Sequence, residues 1–297
     1  MKRLLPLLLT VFLLCGCVRV QSPTEAPDLP PTTPPATENT EPATVTPTTE
    51  ATEPTQIVPQ EPTEPPLPAG WFEEDGVRYY RLEDGYLAIG AVQIDGVTRH
   101  FTETGAYILV VNPWNPVPED YVPALVELST AVSTEGNYVD ITCYDAMTQM
   151  ITDCNLYSGA NVCVVSAYRS VELQSTNFQR KVNSFLEAGL DYETAYAEAA
   201  AVIAVPGTSE HHLGLAADIV DTQIWSLVQA QENLTGQRWL MENCWRYGFI
   251  LRYPADKRDV TGIIYEPWHY RYVGQELAAI LHESGLTLEE YMDNLTK

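Results

Sequence analysis

The stretch PGTSEHHLGLAAD, residues 206–218, begins with a Pro-Gly pair that ends the helix-like segment before it. Upstream, the short apolar run of residues 162–165 predicts a buried strand. Helical spacing or composition is found in four segments of the surrounding sequence, residues 125–132, 171–188, 192–205 and 238–247. Strands and helices therefore mix without strict alternation, which favours an α+β fold.

Two histidines and two carboxylates in this stretch and in YEPWHYRY, residues 265–272, could build a zinc site. A catalytic zinc takes three protein ligands, keeps one position for water, and needs a nearby carboxylate to accept a proton. His211, Asp218 and His269 can serve as the ligands. Glu266 is then free to act as the base. A single histidine is more often a surface or core residue, so spacing alone leaves the metal open.

Three short motifs resemble those of a known peptidase family. Ser-x-His-x-x-Gly-x-Ala-x-Asp fits residues 209–218, Glu-x-Trp-His fits residues 266–269, and Tyr-Arg-Ser fits residues 168–170. All three are similar to motifs of the VanY-type D-alanyl-D-alanine carboxypeptidases, a family of zinc peptidases. The resemblance covers roughly residues 108–290.

This resemblance implies a compact α+β domain in which helices flank a central antiparallel sheet that carries the site. It implies one Zn²⁺ and one catalytic base, on the residues His211, Asp218, His269 and Glu266. The neighbouring His212 lies where family members vary, and we assign it no metal.

Substrate contacts are implied for four further residues of the same pocket. Arg169 follows the apolar run, and its guanidinium suits a C-terminal carboxylate or a developing oxyanion. The resemblance places Gln174 and Ser209 in the pocket. The simpler alternatives are that Gln174 is a solvated helix residue and that Ser209 contributes a turn hydroxyl. Trp268 is also assigned to the pocket, where we expect its ring to pack beside the site rather than to bind the substrate directly.

The predicted reaction is removal of the C-terminal D-Ala from peptidoglycan stem peptides. L,D-carboxypeptidase action on a tetrapeptide and D,D-dipeptidase action on free D-Ala-D-Ala stay open, because the pocket's shape decides among them. An alternative of another class is a non-catalytic cell-wall-binding lipoprotein that reuses the fold. The intact ligand set and Glu266 argue against it, since a binding module needs no base.

Residues 1–16 have the pattern of a secretory signal peptide. Lys2 and Arg3 precede an apolar run over residues 4–14, which is shorter than the roughly 20 residues of a spanning helix. The run ends in Leu-Cys-Gly-Cys, which resembles the bacterial lipobox, so Cys17 is expected to receive lipid. Ordinary secretion is the alternative. We therefore expect an extracytoplasmic protein, lipid-anchored to the cell membrane of a Gram-positive-type envelope.

Residues 17–69 contain 14 of the 22 prolines of the chain, together with many Thr, Glu and Ala residues. This composition predicts a disordered, extended linker. Residues 70–107 then show a 20-residue repeat, in which Asp-Gly-Val at 75–77 recurs at 95–97. Each unit predicts a β-hairpin that is similar to aromatic-rich cell-wall-binding repeats. Two units are few for such an array, so packing against the peptidase domain, residues 108–297, is an equal expectation.

The chain carries 40 acidic and 16 basic residues, and its formal net charge of −24 disfavours nucleic acid as a partner. The sequence gives no indication of the oligomeric state. Besides Cys17 and the signal-peptide cysteine, four cysteines could pair in an oxidising compartment, Cys143, Cys154, Cys163 and Cys244. Of the three possible pairings, we favour the one that joins Cys143 to Cys154, because these two flank a segment that could form a hairpin.

Overall fold

The computed structural model of the chain describes residues 67–74, 76–119 and 121–296. The predicted signal peptide, the lipidation site Cys17 and the predicted linker as far as residue 66 lie outside the described residues. In the described part of the chain, no helix has both the length and the apolar composition needed to cross a bilayer.

The described residues form strands, α-helices and three short 3₁₀ turns. The strands are β1 Gly70–Glu74, β2 Val77–Arg81, β3 Gly90–Ile94, β4 Val97–Phe101, β5 Tyr107–Ile108, β6 Leu125–Glu127, β7 Tyr138–Asp140, β8 Val162–Ser166, β9 Ala216–Asp221, β10 Phe249–Leu251 and β11 His269–Tyr272. The helices are α1 Ile141–Ser158, α2 Val171–Glu187, α3 Tyr192–Val202, α4 Thr235–Asn243, α5 Arg258–Thr261, α6 Gln275–Ser284 and α7 Leu288–Leu295. The 3₁₀ turns are Glu210–Leu213, Gln229–Asn233 and Cys244–Tyr247.

Both units of the 20-residue repeat form a two-stranded antiparallel hairpin, β1 with β2 and β3 with β4. In the second hairpin the loop residues Asp95 and Gly96 both have positive φ, 52° and 79°, as a two-residue type I′ turn requires. Trp71 packs against Tyr80 of its own hairpin and against Phe101 of the second, which joins the two hairpins through one aromatic cluster. Just after β4, the hydroxyl of Thr104 donates to Glu276 of α6 at 2.8 Å.

A four-stranded sheet in the order β10–β11–β9–β8 forms the centre of the peptidase region. All of its neighbouring strands are antiparallel, which confirms the predicted α+β fold with a central antiparallel sheet. Helix α1 packs on the sheet through Met147, Met150 and Ile151, which are fully buried with Tyr270 of β11 and Leu240 of α4. Burial of this apolar surface is the main stabilisation of the domain.

Most of the predicted elements are present, with one clear exception. The strand at residues 162–165 is β8, and the segments beginning at residues 171 and 192 are helices α2 and α3. The helix predicted over residues 125–132 is wrong, because Leu125–Glu127 pairs with β7 as strand β6. A pairing between residues distant in sequence overrides the local helical spacing there.

The expected pair of Cys143 and Cys154 is wrong as well. Both lie in the single helix α1, whose first turn is capped by the side chain of Asp140. Their separation of eleven residues corresponds to roughly 16 Å along a helix, far beyond the Cα distance that a disulfide spans. Each of the four cysteines in the described residues is a free thiol.

We expect three of these thiols to resist alkylation in the native protein. Burial raises the pKa of Cys143, Cys154 and Cys244 to about 12, and the thiolate is the reactive form. Iodoacetamide at pH 8 should modify these residues only after unfolding, as peptide mass spectrometry would show. Rapid labelling of Cys143 in folded protein would contradict the buried position.

Gly236, the second residue of α4, lies directly against strand β8. A Cβ at this position would collide with Val162 and lie 3.1 Å from both Ala160 and Asp221. We expect Gly236→Ala to lower the free energy of unfolding by about 2 kcal/mol, the usual effect of overpacking. Urea unfolding would measure the change, and the exposed Arg238→Ala in the same helix is the matched control. Equal stability of both variants would show that α4 can move away from the sheet.

Candidate metal centre

Three buried side chains, His211, Asp218 and His269, meet at one end of the central sheet. Their ligand atoms all lie within 4.8 Å of one another. Asp218 of β9 and His269 of β11 are direct partners in the antiparallel register, so backbone pairing brings these two together. His211 comes from the 3₁₀ turn Glu210–Leu213. That turn ends at Gly214, whose φ of +70° returns the chain into β9.

The three side chains fit one zinc ion. His211 donates its Nδ1 proton to the carbonyl of Ala167 at 2.7 Å, so Nε2 is the ring nitrogen whose lone pair faces the other ligands. Asp218 Oδ1 lies 3.5 Å from His211 Nε2 and 3.2 Å from His269 Nδ1. Two imidazole nitrogens and one carboxylate oxygen are a donor set that catalytic zinc commonly takes.

Arg169 points its guanidinium at this same donor set. Its Nη2 donates to Asp218 Oδ2 at 2.9 Å and also to His211 Nε2. Its Nη1 donates to Gln174 Oε1 at 2.9 Å, and Gln174 Nε2 donates in turn to the carbonyl of Ala204 at 2.6 Å. The guanidinium of Arg169 thus contacts lone pairs of Asp218 and His211 that a metal ion would use. The donor set therefore attracts a positive charge.

Glu266 lies in the turn that leads into β11 and is 8% exposed. Its backbone amide donates to the carbonyl of Tyr253 at 3.1 Å. One carboxylate oxygen is 3.9 Å from Nδ1 of His269. Burial raises the pKa of the Glu266 carboxyl to about 8, with His269 opposing and Asp218 adding to the rise. The group can therefore exchange a proton close to neutral pH.

Nearly all of the site residues named from the sequence line one cleft of about 470 Å³. They are Arg169, Ser209, His211, Asp218, Glu266, Trp268 and His269. Gln174 is fully buried and does not line the cleft, but its side chain accepts a hydrogen bond from Arg169 and so helps to position the guanidinium. Ser209 and Trp268 are 2% and 8% exposed, so each presents only a small surface to the cleft.

His212 turns away from the metal ligands and binds backbone groups. Its Nδ1 donates to the carbonyl of Arg169 at 2.7 Å, and its Nε2 accepts from the amide of Gly207 at 3.2 Å. Both ring nitrogens are thus engaged, and His212 holds the loop that carries Arg169.

Sequence reasoning missed Glu210, whose carboxylate lies behind His269. Its Oε2 faces His269 Nε2 at 3.5 Å, and neither atom has another hydrogen-bond partner within the described residues. Its Oε1 accepts from Arg252 Nε and Arg271 Nη1, each at 2.8 Å. A carboxylate in this position orients a ligand histidine so that the other ring nitrogen faces the metal. The sequence offered one signal, an acid directly between Ser209 and His211.

Comparison with known proteins agrees with this geometry. Residues 136–275 match the family described as VanY: D-alanyl-D-alanine carboxypeptidase. A D-alanyl-D-alanine carboxypeptidase of Enterococcus faecalis is 42% identical over 189 residues, 63% of this chain and 65% of the relative. The structure of VanYB in complex with D-alanine-D-alanine is 41% identical with a TM-score of 0.56, covering 62% of this chain and 96% of that one. The chain belongs to the VanY family.

Two further solved structures extend the VanY comparison. A mutant of the vancomycin resistance D,D-pentapeptidase VanY in complex with Zn(II) is 41% identical, with a TM-score of 0.55 over 62% of this chain and 97% of that one. The LdcB LD-carboxypeptidase is 32% identical, with a TM-score of 0.55 over 68% of this chain and 92% of that one. The family resemblance inferred from the motifs is confirmed, and the Zn(II) of the VanY mutant agrees with the donor set. The chain spans just under two thirds of the length of the Enterococcus faecalis relative.

Proposed function

We propose that this VanY-family chain is a zinc-dependent carboxypeptidase that removes the C-terminal D-Ala from peptidoglycan stem peptides. The observation that carries this proposal is a fourth buried side chain beside the His-Asp-His set, the carboxylate of Glu266, which lies 3.9 Å from a ligand nitrogen. A purely structural zinc site is closed by its ligands and needs no such acid. The substrate assignment is supported by the name of the Enterococcus faecalis relative and by the dipeptide bound to VanYB.

Glu266 would act as the general base and then as the general acid. Zinc, when bound, activates a water molecule and polarises the scissile carbonyl. Glu266 would accept a proton from the attacking water molecule, whose oxygen forms the new bond to the carbonyl carbon. As the amide C–N bond breaks, Glu266 returns the proton to the leaving amine, so that protons balance over the cycle.

Arg169 would bind the substrate carboxylate or the developing oxyanion, with Gln174 fixing its orientation. The guanidinium is held from two sides, by Asp218 at 2.9 Å and by Gln174 at 2.9 Å. A fixed cation of this kind suits a free C-terminal carboxylate. Ser209 and Trp268, which line the same cleft, would contact the terminal residue and close the wall beside it.

The proposal is tested with three defined substrates and a chelator. The purified full-length chain is incubated with a stem pentapeptide ending in D-Ala-D-Ala, with the corresponding tetrapeptide and with free D-Ala-D-Ala. Loss of one alanine from the pentapeptide by mass spectrometry, abolished by chelator and restored by Zn²⁺, supports the proposal. Release that persists in the fully demetallated protein would refute the metal mechanism.

The same assay decides among the alternatives. Cleavage of the tetrapeptide alone would establish an L,D-carboxypeptidase. The similarity to the LdcB LD-carboxypeptidase is the reason to test this activity. Cleavage of the free dipeptide alone would establish a D,D-dipeptidase. No product from any substrate would favour the non-catalytic wall-binding lipoprotein.

We also infer that the protein is anchored outside the cytoplasm by lipid on Cys17, with residues 17–69 as a spacer. The support is the lipobox-like sequence after the apolar run. Cys17→Ser should move the protein from the membrane fraction to the soluble fraction. Unchanged membrane association of that variant would overturn the anchor.

A further inference from the structure

The active-site cleft continues along helix α2, away from the metal ligands. Four polar side chains of this helix line it, Asn177, Arg180, Lys181 and Ser184. Residues three or four apart share one side of a helix, so these four form a stripe. Gln174, which holds Arg169, precedes the stripe by one turn. An adjoining face of α2 packs on α3 through Phe178 and Val182.

Among the residues that the structure describes, Arg180 and Lys181 have no acidic partner. Within the described residues, neither side chain lies within 4.0 Å of a carboxylate oxygen. Arg180 only reaches Asn177 Oδ1, at 3.5 Å, and the Lys181 ammonium lies 4.9 Å from the ring centre of Phe185. Arg180 and Lys181 are adjacent in sequence, so they concentrate positive charge at one place in a chain whose acidic residues outnumber its basic ones by 40 to 16.

The α2 end of the cleft carries cations without carboxylates, whereas the metal end carries both the cation Arg169 and carboxylates. The carboxylates among its lining residues, Asp218 and Glu266, lie at the metal end. Apolar residues complete the other walls, Val202, Ile203, Leu227 and Ile263. Arg180 is exposed and Lys181 is half-buried, so the apolar walls reduce the screening by water mainly at Lys181. The α2 end is therefore suited to an acidic group of a ligand that also reaches the metal centre.

The spacing along α2 between Gln174, which holds Arg169, and the two cations points to one group of the substrate. Lys181 lies seven residues beyond Gln174, roughly 10 Å along the helix. An extended peptide advances roughly 3.3 Å per residue, so this distance corresponds to three residues. We propose that Arg180 and Lys181 form a subsite for a second substrate carboxylate, three residues before the C-terminal residue. In a stem pentapeptide this is the α-carboxyl group of the γ-linked D-glutamyl residue. The inference rests on the proposed function, which fixes the terminal carboxylate at Arg169.

Two synthetic pentapeptides test the subsite, L-Ala-γ-D-Glu-L-Lys-D-Ala-D-Ala and its analogue in which the glutamyl α-carboxyl group is an amide. The lysine peptide carries only that acid besides its C-terminus. Wild-type zinc enzyme should have about a tenfold higher kcat/KM for the acid than for the amide, mainly through KM, as for a charge-assisted contact. In the double variant Arg180→Gln/Lys181→Gln this ratio should fall to about one. Added salt should lower the wild-type ratio.

The control is Arg246→Gln, which removes a cation that stacks on Trp245 outside the cleft and should keep the wild-type ratio. Equal kcat/KM for the two peptides in wild-type enzyme would overturn the subsite. So would a double variant that keeps the tenfold preference. If neither peptide releases D-Ala, the proposed function fails first. D-Ala release without discrimination refutes the subsite alone.

Discussion

Replacing Glu266 by alanine is expected to lower kcat about 10³-fold and to leave the fold and the bound zinc in place. The carboxylate lies 3.9 Å from His269 Nδ1 but lies outside the set of three converging ligand atoms. Its loss therefore removes the proton acceptor and keeps the metal donors. Glu266→Gln should be nearly as slow, because an amide of the same shape cannot accept the proton.

His269→Ala is the contrasting variant, since it removes a ligand and should lose zinc together with activity. Three measurements separate the cases, the zinc content of dialysed protein, the thermal unfolding temperature and kcat on the pentapeptide. Retained zinc with lost turnover in Glu266→Ala supports the assigned role. A zinc-loaded Glu266→Ala enzyme with normal kcat would show that another group moves the proton.

The metal centre was predicted from the resemblance of short motifs to the VanY family, and each of these motifs is local in sequence. Two ligands lie within the stretch of residues 206–218, and His269 follows Glu266 by three residues. The spacing is the physical consequence of one 3₁₀ turn, one β-strand and one tight turn into the next strand. What sequence spacing alone left open was whether these pieces meet. The answer depends on the pairing of Asp218 with His269.

The failed predictions share one cause, which is that they depend on partners distant in sequence. Residues 125–127 are a strand because β7 is available to pair with them. The segment between Cys143 and Cys154 is helical because its apolar side chains pack on the central sheet. Glu210 was missed for the same reason, since its role depends on side chains 42 to 61 residues away.

The buried ion network behind His269 is the second feature with a large expected effect. The side chain of Arg252 is inaccessible to solvent and joins Glu210 of the 3₁₀ turn at 2.8 Å to Glu289 of α7 at 2.5 Å. Arg271 completes the network through its own 2.8 Å contact with Glu210. The C-terminal helix is thereby linked to the carboxylate that faces a metal ligand.

Arg252→Ala is expected to lower the free energy of unfolding by about 3–5 kcal/mol, because it leaves Glu289 without its cation and the buried Glu210 with Arg271 alone. Burial favours the protonated form of Glu210, but Arg252 and Arg271 outweigh it and hold the pKa well below its usual range. A depressed carboxyl pKa stabilises the fold fully above the unfolded pKa of about 4.3, and this stabilisation is lost as pH falls towards the folded pKa.

Urea unfolding at pH 7 in chelator measures the change without contributions from zinc binding. The control is Arg258→Ala, which removes an exposed pair with Glu198 at 3.9 Å and should change stability by less than about 0.5 kcal/mol. If Arg252→Ala were as stable as this control, the buried carboxylates would be neutral, hydrated or sufficiently paired with Arg271 in the variant, and the assigned contribution of Arg252 would be wrong.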